Sequence, residues 1–82
     1  MSDADLPIIE LDTRGLNCPE PVMMLHQTMR RAQAGQQIRI LATDPSTTRD
    51  IPKFCLHLGH DLLSEPQDKS LAVLEYRVQK RR

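Results

Sequence analysis

The segment GLNCPEPV, Gly15 to Val22, puts a cysteine directly before one proline and three residues before another, with a glutamate between them. Cys18 is the side chain here whose type alone implies covalent chemistry, because a thiolate is a strong nucleophile. Its position matters as much as its type. Pro19 and Pro21 suit the first turn of a helix, where a missing amide hydrogen costs nothing, so Cys18 is expected at a helix start. Unpaired amides and the positive end of the helix dipole favour an anion there. A free cysteine ionises at about pH 8.5, and such a position favours the thiolate. Glu20 competes for the same potential, whereas Arg49, if its loop lies beside this one, would assist.

What one thiol can do is limited by its surroundings. No second cysteine stands in C-x-x-C spacing, which argues against dithiol redox chemistry. Hydrolysis through a covalent intermediate needs a base beside the thiol, and His26, His57 and His60 are poorly placed for it. His26 flanks the apolar stripe of its helix and His57 faces away from Ile51. The remaining task is to accept a group and surrender it to another thiol. Cys55 falls in an apolar stripe and reads as a buried, inert cysteine. Cys55, His57 and His60 invite a metal site, but Cys55 and His57 project about 160° apart on a helix and do not converge. No metal and no cofactor is expected.

Short elements must position this cysteine. IIELD, Ile8 to Asp12, alternates with the period of a strand. A helix is predicted from Val22 to Ala34, with Val22, Leu25, Met29 and Ala32 on its core stripe and Gly35 ending it. Met23 and Met24 point about 100° and 200° away from Val22 and fall outside that stripe. Adaptable apolar side chains beside a reactive thiol suit contact with differing partners.

QIRILATD gives a second strand with Ile38, Ile40 and Ala42 on one face. STTRDIPKFCLHLG gives a second helix, with Thr47 and Asp50 spaced as a capping box and Ile51, Phe54, Cys55 and Leu58 as its stripe. Pro52 leaves the start of that helix open. HDLLSE and Leu71 to Val78 supply two further strands, the latter with Ala72, Leu74, Tyr76 and Val78 facing together.

The order βαβαββ predicts an α+β fold. Right-handed crossovers make the first three strands parallel and the last one antiparallel, and both helices cover one face of a four-stranded mixed sheet in a two-layer α/β sandwich. Parallel strands that each feed a helix place their following loops at one sheet edge. GLNCPEP and TDPSTTRD are therefore expected on the same side.

With 82 residues, one domain spanning 1–82 is expected, residues 1–6 being a loose end. The formal net charge is zero, so attraction of the whole molecule to nucleic acid or to anionic membrane is not indicated. No stretch approaches spanning length, and the start lacks a basic region followed by an apolar run. A cytoplasmic protein is expected, in which two cysteines read as thiols and not as a bridge.

LNCPEPVMM, Leu16 to Met24, together with DPSTTRDIPKFC, Asp44 to Cys55, closely resembles the TusA/SirA-like sulfur-carrier family over nearly the whole chain. A bare C-P-x-P would say little; joined to the second motif it is specific. The resemblance implies strand order 1-2-4-3 and a persulfide on Cys18, formed with sulfane sulfur from a cysteine desulfurase. It also implies handover to a downstream relay leading to 2-thiouridine at the wobble position of certain transfer RNAs. The neutral charge leaves any RNA contact to a downstream partner, so no direct nucleic acid binding is expected. Some relatives serve sulfur oxidation or cofactor sulfuration instead. Pro19, Glu20, Met23, Met24, Asp44 and Arg49 are the candidates for partner contact, although Asp44, Arg49 and Asp50 serve equally well to cap and brace the second helix. The competing classes are a non-catalytic regulatory module and a metal-binding or redox-sensing domain.

Overall fold

The computed structural model describes residues 6–82; apart from Leu6, the terminal segment expected to be loose lies outside them. The elements are β1 (Ile9–Thr13), α1 (Glu20–Arg31), β2 (Gln37–Ala42), α2 (Thr47–Leu58), β3 (Asp61–Ser64) and β4 (Leu74–Gln79). The sheet has the order β1-β2-β4-β3. β1 pairs with β2 in parallel, and β4 runs antiparallel to both β2 and β3. Both helical crossovers move in the same direction across the sheet, so a common handedness brings both helices to one face. This is the α+β sandwich that the element order predicts.

One face of the sheet is apolar because side chains alternate along each strand. Ile38, Ile40 and Ala42 of β2 and Leu74, Tyr76 and Val78 of β4 are buried against Leu25, Met29, Ile51, Phe54 and Cys55 from the helices. The other face meets water. There Arg39, in the middle of β2, pairs with Glu10 at 2.8 Å and with Glu75 of β4. Opposite charges on neighbouring strands fix the polar face without needing a second layer.

α1 begins at Glu20, two residues earlier than the apolar spacing predicts, because Pro21 occupies an early position that needs no amide hydrogen. Glu20 in its first turn and Arg30 and Arg31 in its last oppose the ends of the dipole favourably. The expected stripe is rotated. Its centre is Leu25, with Pro21, Met29 and Ala32 also buried, so Val22 and Met24 become its two flanks. Met24 is thus partly buried against the core, contrary to expectation, and only Met23 points outward, at 53 % exposure.

Gly35 does not end this helix either. Ala32 leaves it by turning extended, and the Lys80 ammonium donates to the Ala32 carbonyl at 2.7 Å, satisfying an end that a left-handed glycine would otherwise serve. Gly35 stands in the following turn, its N–H donating to the Lys80 carbonyl at 2.9 Å.

α2 starts at Thr47 with Pro52 inside it. The expected capping box does not form, because Thr47 lies within the first turn and its hydroxyl is turned inward. That hydroxyl donates to the Asp44 carbonyl at 2.7 Å and lies 2.9 Å from the buried Tyr76 hydroxyl. Asp44, outside the helix, closes the turn that leads into it, accepting from the Ser46 N–H at 2.9 Å. At the far end Gly59 adopts a left-handed conformation, φ 75°, and closes the helix. Leu58, placed on the stripe by spacing, is 39 % exposed because the helix ends there, beyond the cover of the sheet. β4 begins at Leu74, later than predicted, and Ala72 stays exposed in the preceding turn.

Candidate functional site

The loops leaving β1 and β2 lie at the same sheet edge because the two strands are parallel neighbours. Two cross-links hold them together. The Gly15 N–H donates to the Thr43 hydroxyl at 2.9 Å, and the Cys18 N–H donates to the Asp44 carboxylate. Gly15 turns with φ 83°, a conformation that a residue with a Cβ adopts only with strain. β1 contributes one further anchor, the buried Thr13 hydroxyl, which donates to the Leu41 carbonyl at 2.7 Å.

Within this frame Cys18 is exposed, one residue outside the N-cap of α1. Its peptide bond to Pro19 is cis. The Glu20 N–H turns back to the Asn17 carbonyl at 2.9 Å, closing the turn that delivers the chain into the helix. The sulfur therefore sits at the mouth of α1 while the backbone behind it is bonded to the other loop.

The carboxylate hydrogen-bonded to the sulfur comes from α2. Cys18 Sγ donates to Asp50 Oδ2 at 3.5 Å, within the range for a thiol donor. The other oxygen of Asp50 accepts from Arg49 Nε at 3.0 Å. Sequence spacing offers Asp50 only a bracing or partner-facing role, since 32 residues separate it from Cys18. The signal that points to it is the parallel arrangement of the two βα units, which brings both loops to one edge.

Arg49 is largely exposed, with its guanidinium on Asp50 and with Cys18 and Asp44 also within its electrostatic reach. Its hydrogen bond to Asp50 raises its pKa further above the ordinary value. Asp44 is held below the usual carboxylate value of 3.8 by the backbone hydrogen bonds from Ser46 and then Cys18. The sign of that shift gives a prediction. A depressed folded-state value contributes stability that is present above 3.8 and is lost as pH falls through the lower folded value. Asp44→Ala is expected to be less stable than the parent in urea at neutral pH, the gap narrowing in acid below that range. A gap independent of pH would mean that the carboxylate charge does not tether the loops.

A groove of about 330 Å³ runs between the helices, lined by Val22, His26, Asp50, Lys53, Phe54, His57 and Leu58. His26 meets the Phe54 ring edge-on, with centroids 4.6 Å apart. Asp50 joins this groove to the thiol. Met23, in the first turn of α1, is exposed, as are Pro19, Glu20 and Arg49. Of the expected partner-facing set, Met24 is drawn into the core flank and Asp44 is committed to the loop cross-link.

Cys55 stands apart. It is buried, and burial, with a smaller contribution from Asp61, pushes its thiol up to about 11. His57, two residues on, is exposed, and the His60 Nδ1 accepts from the Arg81 N–H at 3.0 Å, so the three do not converge. Iodoacetamide is expected to alkylate Cys18 in the native protein and Cys55 only after unfolding, as read by peptide mass spectrometry. Equal labelling of both thiols under native conditions would contradict the burial.

Comparison with known proteins finds that residues 9–80 match the family described as "Sulfurtransferase TusA". The chain belongs to the TusA family. One TusA relative, "Sulfur carrier protein TusA" from Pseudomonas putida (strain GB-1), is 61 % identical over 62 residues, covering 76 % of this chain and 78 % of the relative. Another of the same description, from Pseudomonas syringae pv. syringae (strain B728a), is 60 % identical over 60 residues, covering 73 % and 71 %. The TusA fold described above also matches the crystal structure of a SirA-like protein from Desulfitobacterium hafniense. The TM-score is 0.75 at 19 % identity, covering 90 % of this chain and 99 % of that one. That likeness concerns the fold alone. No helix among the described residues of this TusA-family chain is long and apolar enough to cross a membrane.

Proposed function

We propose that this chain is a cytoplasmic sulfur carrier whose Cys18 takes sulfane sulfur as a persulfide from a cysteine desulfurase. It then yields the outer sulfur to a downstream relay that ends in 2-thiolation of a transfer RNA wobble uridine. The observation that carries the reading is the exposure of Cys18 at the mouth of α1, in a chain whose other thiol is sealed in the core. A relay sulfur must be approached twice, first by a donor and then by an acceptor, and exchange between sulfurs requires direct contact. A buried sulfur would be protected but unable to leave.

The surroundings suit transient contact with proteins. Met23 gives an adaptable apolar contact beside the thiol, and the groove between α1 and α2 extends the surface with histidines and Lys53 around an apolar floor. Pro19, Glu20 and Arg49 complete the rim. The transfer RNA is reached through the relay and not by this chain, whose net charge is zero.

The test is intact-protein mass spectrometry after incubation with a cysteine desulfurase and cysteine. The expected product is the chain plus one sulfur atom, lost on treatment with a reductant. A regulatory module whose cysteine loop only shapes a surface would gain nothing.

A further inference from the structure

Transfer of sulfur to a thiol releases a proton, and the structure offers one oxygen placed to receive it. Building on the persulfide reading above, we propose that Asp50 is the proton acceptor for Cys18 as its sulfur attacks the donor persulfide. Asp50 Oδ2 lies 3.5 Å from Cys18 Sγ, within reach of a thiol hydrogen. Arg49 holds the opposite oxygen, and the Asp50 side chain is 19 % exposed against 70 % for Arg49. The carboxylate is thus fixed on the first turn of α2 with one oxygen left for the sulfur. A base within hydrogen-bond reach of the proton it takes is the geometric requirement for general base catalysis.

The atoms balance without an added oxidant or reductant. The Cys18 S–H proton passes to Asp50 Oδ2 while the electron pair released on Sγ forms a bond to the outer sulfur of the donor. The S–S bond of the donor breaks, its electron pair remains on the donor sulfur, and that sulfur takes the proton from Asp50. The transferred sulfur keeps its own hydrogen. One thiol and one persulfide enter, and one persulfide and one thiol leave.

Docking limits where the proton can go. Asp50 also lines the groove between the helices, so a protein that covers Cys18 shields this carboxylate from water. With water excluded, Asp50 Oδ2 is the acceptor left within reach of the sulfur. Attack is therefore promoted beneath a docked donor.

The experiment follows single-turnover transfer from a persulfide-loaded cysteine desulfurase to excess carrier, with affinity for the desulfurase measured separately. Asp50→Asn is expected to lower the saturated transfer rate by about 10²-fold with affinity retained, and Asp50→Glu to restore part of the rate. If Asp50→Asn does not fold, Asp50→Glu decides, with a slowed saturated rate at retained affinity as the expected result. Transfer at or above the parent rate in the folded variant would overturn the proposal. So would a loss explained wholly by weaker docking, or a glutamate variant no faster than the asparagine one. Failure of the unaltered protein to take up sulfur would instead remove the carrier reading on which the proposal rests.

Discussion

Cys18→Ser is expected to abolish sulfur uptake from a cysteine desulfurase, and Cys55→Ser to leave it intact. The contrast is large because the two thiols occupy opposite environments. Cys18 is exposed on a loop tied at its backbone to Asp44, with the Asp50 carboxylate 3.5 Å from its sulfur. Cys55 is 2 % exposed and stays a neutral thiol at physiological pH, its pKa pushed up to about 11. A serine hydroxyl has no sulfur with which to form the persulfide, so the loss at Cys18 is complete and not partial. Mass spectrometry of both variants after equal exposure to donor reads the result directly. Uptake retained in Cys18→Ser would place the carrier sulfur elsewhere and end the proposed function.

Ile40→Ala is expected to remove much of the folding stability. Ile40 is fully buried on β2, which stands between β1 and β4. Truncating such a side chain costs about 2–5 kcal/mol, through lost transfer free energy and the cavity left behind. Small domains are stable by roughly 0.05–0.15 kcal/mol per residue, which for a chain of this size is about 4–12 kcal/mol in total. One deletion at the centre of the sheet therefore takes a large share. Thermal unfolding should fall by roughly 10 °C or more, at about 4–8 °C per kcal/mol for a domain of this size. Leu56→Ala is the matching control, because Leu56 is 78 % exposed on α2 and its loss should stay within about 0.5 kcal/mol. A similar drop in both variants would contradict the placement of the core.

The site and the core meet at α2. Its inner face supplies Ile51, Phe54 and Cys55 to the core, while its first turn supplies Asp50 to the sulfur and rests on Asp44. The Tyr76 hydroxyl, buried on β4, meets Thr47 in that same turn. The position of the carboxylate beside Cys18 is thus set by the packing of α2 on the sheet, and a loosened core would be expected to disturb the site as well.

The sequence by itself determined the element order, the strand alternation of β2 and β4, the burial of Cys55 and the placing of both motif loops at one edge. These depend on local periodicity and on the handedness of crossovers, which nearest-neighbour spacing encodes. The tertiary structure alone decided that Met24 flanks the core, that Ala32 is capped by Lys80 from the end of the chain, that Thr47 turns inward to Tyr76, and that Asp50 meets the thiol. Each of these is a contact between residues far apart in the chain, and its existence depends on the rotation and height at which a helix settles on the sheet. A helical wheel gives the apolar stripe to within about one residue, or 100°. Whether a carboxylate lies against a sulfur is decided by displacements of a few ångströms that no spacing records.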